Sequence, residues 1–413
     1  MKIHLDSIIK RNNLIKFQFS VSNDLKKYFT GKDFIIEYPD CIENVPDSVL
    51  AVPFVCNVLP IIWLTNSVLE IDGLDKSFYE SIPEFKKGYI KMFPEASFQG
   101  EICVKNLIDN SYDDSGKSAM FYSGGLDSVQ TLISHIDEKP DLLSIWGSDI
   151  KFDNESGWNL VHKAIEEASS KFHLKEVVFH SSFREFDDEG ELGRDFRKCL
   201  GDGWWHGVKH GVGLLGHVAP YAYVHKISKM YIASTNCPED GQVKCASNPI
   251  IDNHVRFSGC KVIHDGFKFN RQDKTRNIVE FCRNNNEKIT LHVCWESQNG
   301  SNCCACEKCF RTIAELISEG AEPSDYGFNE VDENIFNMQK CIVDARNDAA
   351  IWKHWPYISR RAIENRKVIK KSKYWKHFRW VISTDFEHPE SLQMSFFDRL
   401  RRKVSRVLHK IKD

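Results

Sequence analysis

The sequence contains no apolar run of membrane-spanning length, so no transmembrane helix is expected. Its longest candidate, residues 49–64, is broken by Pro53, Asn57 and Pro60. The opening stretch MKIHLDSIIKRNNLIKF has no uninterrupted apolar core, which argues against a signal peptide and for a cytoplasmic location. A GxxxxGKS/T string is also missing, which excludes the Walker phosphate loop. Net charge is only −3 over 413 residues and says little about partners. With 42% hydrophobic and 27% charged residues, the composition is that of an ordinary globular protein, long enough for about two or three domains.

The charge is unevenly spread. Residues 360–413 hold sixteen Lys and Arg against six Asp and Glu, a net of +10, which leaves −13 for the rest. A basic tail on an acidic body points to an anionic partner, nucleic acid or a membrane surface, or to a solvated tail that aids solubility. Within it, Phe396, Leu400, Val404, Val407, Leu408 and Ile411 recur at helical spacing among Arg401, Arg402, Lys403, Arg406 and Lys410. Such a basic amphipathic helix is expected to pack on a partner protein or dock on a membrane surface. The sequence also has fourteen cysteines. In a cytosolic chain these are thiols or metal ligands rather than disulfides.

Residues 1–110 read as β-rich, with KFQFSV, DFIIEY, residues 49–64, SVLEI and GEICVKN as strand-like runs between polar turns. Residues 110–117 read as a linker. From residue 118 strands alternate with helical patterns: strands near 118–122, 142–146, 176–182, 230–235 and 288–294, helices near 158–172 and 210–227. That rhythm predicts an α/β fold with a parallel sheet covered by helices on both faces, and ligands at the carboxyl ends of its strands. The polar, then aromatic segment 185–205 reads as an active-site lid or a hydrophobic plug on the sheet edge. The expected layout is a β-rich domain over 1–110, an α/β domain with a cysteine cluster over 111–330, and a helical, basic extension over 331–413.

Residues 118–136, SAMFYSGGLDSVQTLISHI, are the stretch around which the chain is organised. A buried strand runs into Ser123, Gly124, Gly125, Leu126, Asp127 and Ser128, and a helix follows with Val129, Leu132, Ile133 and Ile136 on one face. Helix-opening amides have no internal partner and carry partial positive charge, so this elbow suits an anion. The two glycines let backbone N–H groups approach a phosphate, the serines add hydroxyls, and Asp127 can hold a metal ion riding on phosphates. A serine-capped helix after a tight turn uses the same residues. Further on, Lys274 opens a helix in DKTRNIVEF, where it could reach a phosphate or a developing carboxylate charge, or simply face solvent.

Cysteines crowd into CWESQNGSNCCACEKC, residues 294–309. Cys303, Cys306 and Cys309 are evenly spaced and Cys294 ends the preceding apolar run. Four thiolates at about 2.3 Å make a tetrahedral zinc site, and Lys308 and Arg311 would offset its charge. Cys304 breaks the even spacing and is left out. A redox pair or an iron–sulfur cluster draws on similar spacing.

The SGGLDS string resembles the PP-loop, SGGxDS, of the ATP-pyrophosphatase superfamily. With C-x8-C-x2-C-x2-C and Arg311 behind it, the chain resembles the QueC family, 7-cyano-7-deazaguanine synthases, over residues 118–327. The added N-terminal region and basic tail are similar to QueC-like proteins of bacterial antiphage defence islands, the Qat system in particular. The resemblance implies a Rossmann-like, adenine nucleotide α-hydrolase sheet. It implies an elbow of Ser123–Ser128 binding ATP with Mg2+, catalysis by Asp127, Ser128 and Lys274, and structural Zn2+ on Cys294, Cys303, Cys306 and Cys309. The implied reaction adenylates a small-molecule carboxylate such as 7-carboxy-7-deazaguanine, releases pyrophosphate and passes the acyl group to an amine. That amine is ammonia or a protein or nucleic-acid acceptor, and defence-system proteins are the expected partners. A PP-loop enzyme that modifies tRNA and a non-catalytic ATP-binding defence subunit are the competing readings. The family's aspartate-cysteine-arginine stretch is not evident in NCPEDGQVKCASNPIID.

Overall fold

Eleven strands form a single sheet: β1 Lys2–Arg11, β2 Leu14–Val21, β3 Phe34–Glu37, β4 Val68–Asp75, β5 Glu101–Ile108, β6 Ser118–Phe121, β7 Asp141–Trp146, β8 Glu176–Ser181, β9 Lys229–Ala233, β10 Arg256–Phe257 and β11 Cys260–Asp265. The computed structural model describes residues 1–388 apart from 242, 295 and 297–299. The amphipathic helix expected over 396–411 lies outside the described residues. The chain forms two compact units, Met1–Lys268 and a second that begins at Phe269.

The sheet order is β10-β11-β9-β6-β7-β8-β3-β2-β1-β4-β5. Five strands, β8-β7-β6-β9-β11, run parallel. From β6 the chain steps outward to β7 and β8, then crosses back to lay β9 on the other side of β6. Strand order therefore reverses between β6 and β9, the place where open α/β sheets leave a crevice at their carboxyl ends. Neighbouring residues serve opposite faces, as the two-residue period requires. Ala119, Leu143 and Ile145 share one core cluster with Val212, Leu215 and Val218, while Met120, Leu142, Val129 and Ile165 are buried outside that cluster.

Residues 1–110 belong to the same sheet. β3 pairs antiparallel with β8, Ile36 opposite Ser181 and Glu37 opposite His180. β2 and β1 continue the antiparallel run, and β4 and β5 add a parallel edge. The expected boundary at residue 110 falls between β5 and β6 of one sheet.

Three segments differ from expectation. The run at 49–64 is helical, with Val52–Leu64 as its main helix. Residues 52–63 are buried on every side, which erases the period that tells helix from strand. Pro53 sits in the first turn, where its missing N–H costs nothing. Residues 288–294 form no strand: Leu291 N–H donates to Tyr326 O and Val293 N–H to Asn302 Oδ1, so ladder partners are replaced by a turn and a side chain. The fifth parallel strand is β11 instead, where Cys260, Val262 and His264 are buried in alternation.

The expected lid at 185–205 contains a helix, Glu189–Leu200. Asp188 caps it by accepting from the Gly190 and Glu191 amides, and Gly201 at φ +75° ends it. Just before it, Asp187 Oδ1 meets Lys209 Nζ at 2.7 Å with both side chains fully buried. Burial pushes the Asp187 carboxyl up, against the pull of Lys209. Asp187→Ala would remove the nearest carboxylate of the buried Lys209 ammonium and leave it Phe183 O and, at 3.7 Å, Glu189 Oε1. We expect a loss of about 3 kcal/mol, read from the urea midpoint at unchanged slope.

The second unit is helical. Arg271–Asn285, Glu307–Ser318, Trp355–Glu364 and Trp375–Ser383 pack Ile278, Ile313, Leu316, Ile358 and Phe378 into one interior. Trp355, Trp380 and Phe386 close it with ring centroids 5.5–5.8 Å apart.

Candidate functional site

The strand–elbow–helix leaves the carboxyl end of β6, where strand order reverses between β6 and β9. Its take-off is fixed by Tyr122, whose N–H donates to Leu143 O at 2.9 Å and whose C=O accepts from Ser144 Oγ at 2.8 Å. Gly124 is buried and holds φ +72°, a left-handed conformation that side-chain-bearing residues avoid. Gly125 precedes the Leu126–Ser134 helix, and its C=O accepts from Val129 N–H at 2.9 Å and from Ser128 Oγ at 3.0 Å. No side chain caps this helix. Ser123 is exposed, and its hydroxyl lies 3.4 Å from Ser128 Oγ and 3.4 Å from the Gly125 N–H. Those bonds are long enough for a stronger acceptor to displace them. Such an elbow can take an oxyanion.

The four cysteines at 294, 303, 306 and 309 converge in the second unit, their sulfurs all within 4.8 Å of one another. Cys294 and Cys306 are 3.9 Å apart, as are Cys303 and Cys309. A tetrahedron with bonds of about 2.3 Å has edges of about 3.8 Å, so the group fits a single tetrahedral ion. Disulfides need sulfurs about 2.05 Å apart, so these are thiols. Amides of Ala305 and Cys306 donate to Cys303 Sγ at 3.5 and 3.3 Å, as in a knuckle built for thiolate. Cys306 also starts the Glu307–Ser318 helix. Hydrogen bonding from Cys309 holds the Cys306 thiol down to about 5, whereas burial raises Cys303. Asn302 fastens the knuckle to the Cys294 segment, its Nδ2 donating to Leu291 O at 2.6 Å and to Gly327 O at 3.1 Å. Cys304, buried at φ +52°, turns its sulfur to Asn302 O and stays outside the group.

Lys274 is not a surface lysine. Only 1% of it is exposed, one turn into the Arg271–Asn285 helix that Asn270 caps. Nearby, Arg271 Nε lies 3.1 Å from Glu315 Oε1 and its Nη2 donates to Thr312 Oγ1 at 2.9 Å. Arg311 Nε is 3.4 Å from Glu307 Oε1. His354 is held far below its ordinary value by burial and then by Arg311, Arg271, Lys353 and Lys274, so these cations share one interior with it. Burial raises Glu307 in spite of Arg311 and Arg271. Cys306 and Cys309 begin the helix that carries Arg311.

No family model, curated protein or solved structure matches the chain. Of the residues expected to act, the elbow set Ser123–Ser128 lies in the first unit, while Lys274 and the four cysteines lie in the second. Sequence reading missed Arg271, Glu307, Glu315 and His354. Glu307, Arg311 and Glu315 recur every fourth residue on one helix, and that charged stripe was the available signal.

Proposed function

We propose that the chain is a QueC-like, PP-loop enzyme that adenylates a carboxylate with ATP, releases pyrophosphate and transfers the acyl group to an amine. The observation that carries this reading is the uncapped glycine elbow at the reversal point of a parallel sheet. One carboxylate oxygen attacks the α-phosphorus of ATP, and the bond to the bridging oxygen of pyrophosphate breaks. Elbow amides of Gly124, Gly125 and Leu126, aided by the helix dipole, hold the departing charge. Asp127 would hold Mg2+, which neutralises the phosphates. An amine then attacks the carbonyl carbon, forms the C–N bond and expels AMP. Cys294, Cys303, Cys306 and Cys309 are read as a structural Zn2+ site.

The substrate class, a 7-carboxy-7-deazaguanine-like carboxylate, and the setting, antiphage defence, come from the resemblance. Purified protein with ATP, Mg2+, 7-carboxy-7-deazaguanine and an ammonium salt as the amine should release pyrophosphate and AMP above the rate without the carboxylate. Tight ATP binding with no release would make the chain a nucleotide-binding subunit. ADP and phosphate as products would remove the proposal.

A further inference from the structure

Residues 360–379 carry eight exposed lysines and arginines and a single acidic residue, Glu364. Arg366, Lys367, Lys370 and Lys371 crowd the short Arg366–Ile369 helix and the turn after it, and Lys376 and Arg379 stand on Trp375–Ser383. Among the described residues none of these six, nor Arg360, has a carboxylate within 4.0 Å. Arg361 and Lys373 differ: Arg361 meets Glu319 at 2.8 Å and Glu364 at 3.0 Å, and Lys373 meets Asp332 at 2.9 Å. Structural cations here are paired, and the exposed remainder is left to repel itself, which destabilises the face unless an anion covers it.

We infer that this face binds the phosphate backbone of single-stranded nucleic acid. The helices have no continuous apolar side to insert into lipid, because Trp355, Ile358, Ile369, Phe378 and Val381 are buried in the unit's interior. The exposed large hydrophobics here are two aliphatics, Ile363 and Val368. Flat rings are interleaved with the charge: Arg360 lies 4.8 Å over Tyr357 and Lys370 5.8 Å over Trp375, both rings half-buried. Cations tracking a backbone beside rings that accept a base are the parts of a single-strand site. Nucleic-acid binding here is independent of whether the elbow binds ATP.

The test uses the full chain, a fluorescently labelled single-stranded RNA and anisotropy across a salt series. Wild type should bind, with affinity falling steeply as salt rises. The quadruple variant Lys367→Gln, Lys370→Gln, Lys371→Gln, Lys376→Gln leaves every paired cation and the basic stretch beyond residue 388 intact. Its log–log salt slope should be shallower by about three and its affinity lower by at least ~10-fold, at roughly 0.7 released counterions per contact on a single strand. Its thermal transition should match wild type, since the four side chains are exposed. Wild type without salt-dependent RNA binding, or a variant with the wild-type slope and affinity, would overturn the inference. So would wild type that sediments with phosphatidylserine vesicles and ignores RNA.

Discussion

Cys306→Ser should reduce bound zinc from about one ion per chain to near zero and unfold the second unit. Cys306 is both a member of the four-sulfur group and the residue that starts the Glu307–Ser318 helix. That helix supplies Cys309, Phe310, Ile313, Leu316 and Ile317 to the interior. Structural zinc contributes about 10–16 kcal/mol of apparent binding energy in small zinc modules, as much as a whole domain's margin of about 5–15 kcal/mol. Removing one ligand therefore acts on the unit as a whole, beyond its local contacts. Elemental analysis of the purified variant reads the metal, and limited proteolysis C-terminal to Phe269 reads the unfolding. Cys304→Ser is the control, since Cys304 is equally local, buried and outside the group. Zinc retained by Cys306→Ser, or lost from Cys304→Ser, would contradict the assignment of ligands.

Changes in the elbow should act on chemistry more than on folding. Asp127 is half-buried and lies on the first turn of its helix. Asp127→Ala should lower pyrophosphate release by about 100-fold to 1000-fold, the usual loss when one charge-stabilising group leaves a phosphoryl or oxyanion site. Gly124→Ala places a Cβ on a residue at φ +72°, which costs about 1–2 kcal/mol in backbone strain and distorts the turn that aims the amides. ATP binding, measured by calorimetry, should weaken in Gly124→Ala, whereas the thermal transition shifts by only a few degrees. A Gly124→Ala protein with wild-type ATP affinity would show that the elbow does not grip the nucleotide.

What could be read from the sequence was mostly local. A strand, an elbow and an amphipathic helix over 118–136 each announce themselves within a few residues, and the structure has β6 and the Leu126–Ser134 helix there. The cysteine spacing likewise brought together Cys294, Cys303, Cys306 and Cys309 without help from distant chain. Local signals failed where burial is uniform. Residues 52–63 are apolar on every side, so a helix looked like a strand. They failed again where a buried polar residue hides the period, as His264 does in β11. The pairing of β3 with β8 joins residues more than a hundred positions apart, and nothing near either strand encodes it. The cation cluster around His354 is of the same kind, because Arg271, Arg311 and Lys353 meet only through helix packing.

The most direct test of carboxylate adenylation tracks an oxygen atom. A carboxylate substrate labelled with 18O, incubated with the protein, ATP, Mg2+ and an ammonium salt, should deliver one labelled oxygen to the phosphate of the AMP formed, detected by mass spectrometry. The C–O bond to that oxygen breaks when the amine arrives, so the label stays with AMP. Unlabelled AMP, or ADP in its place, would contradict the account.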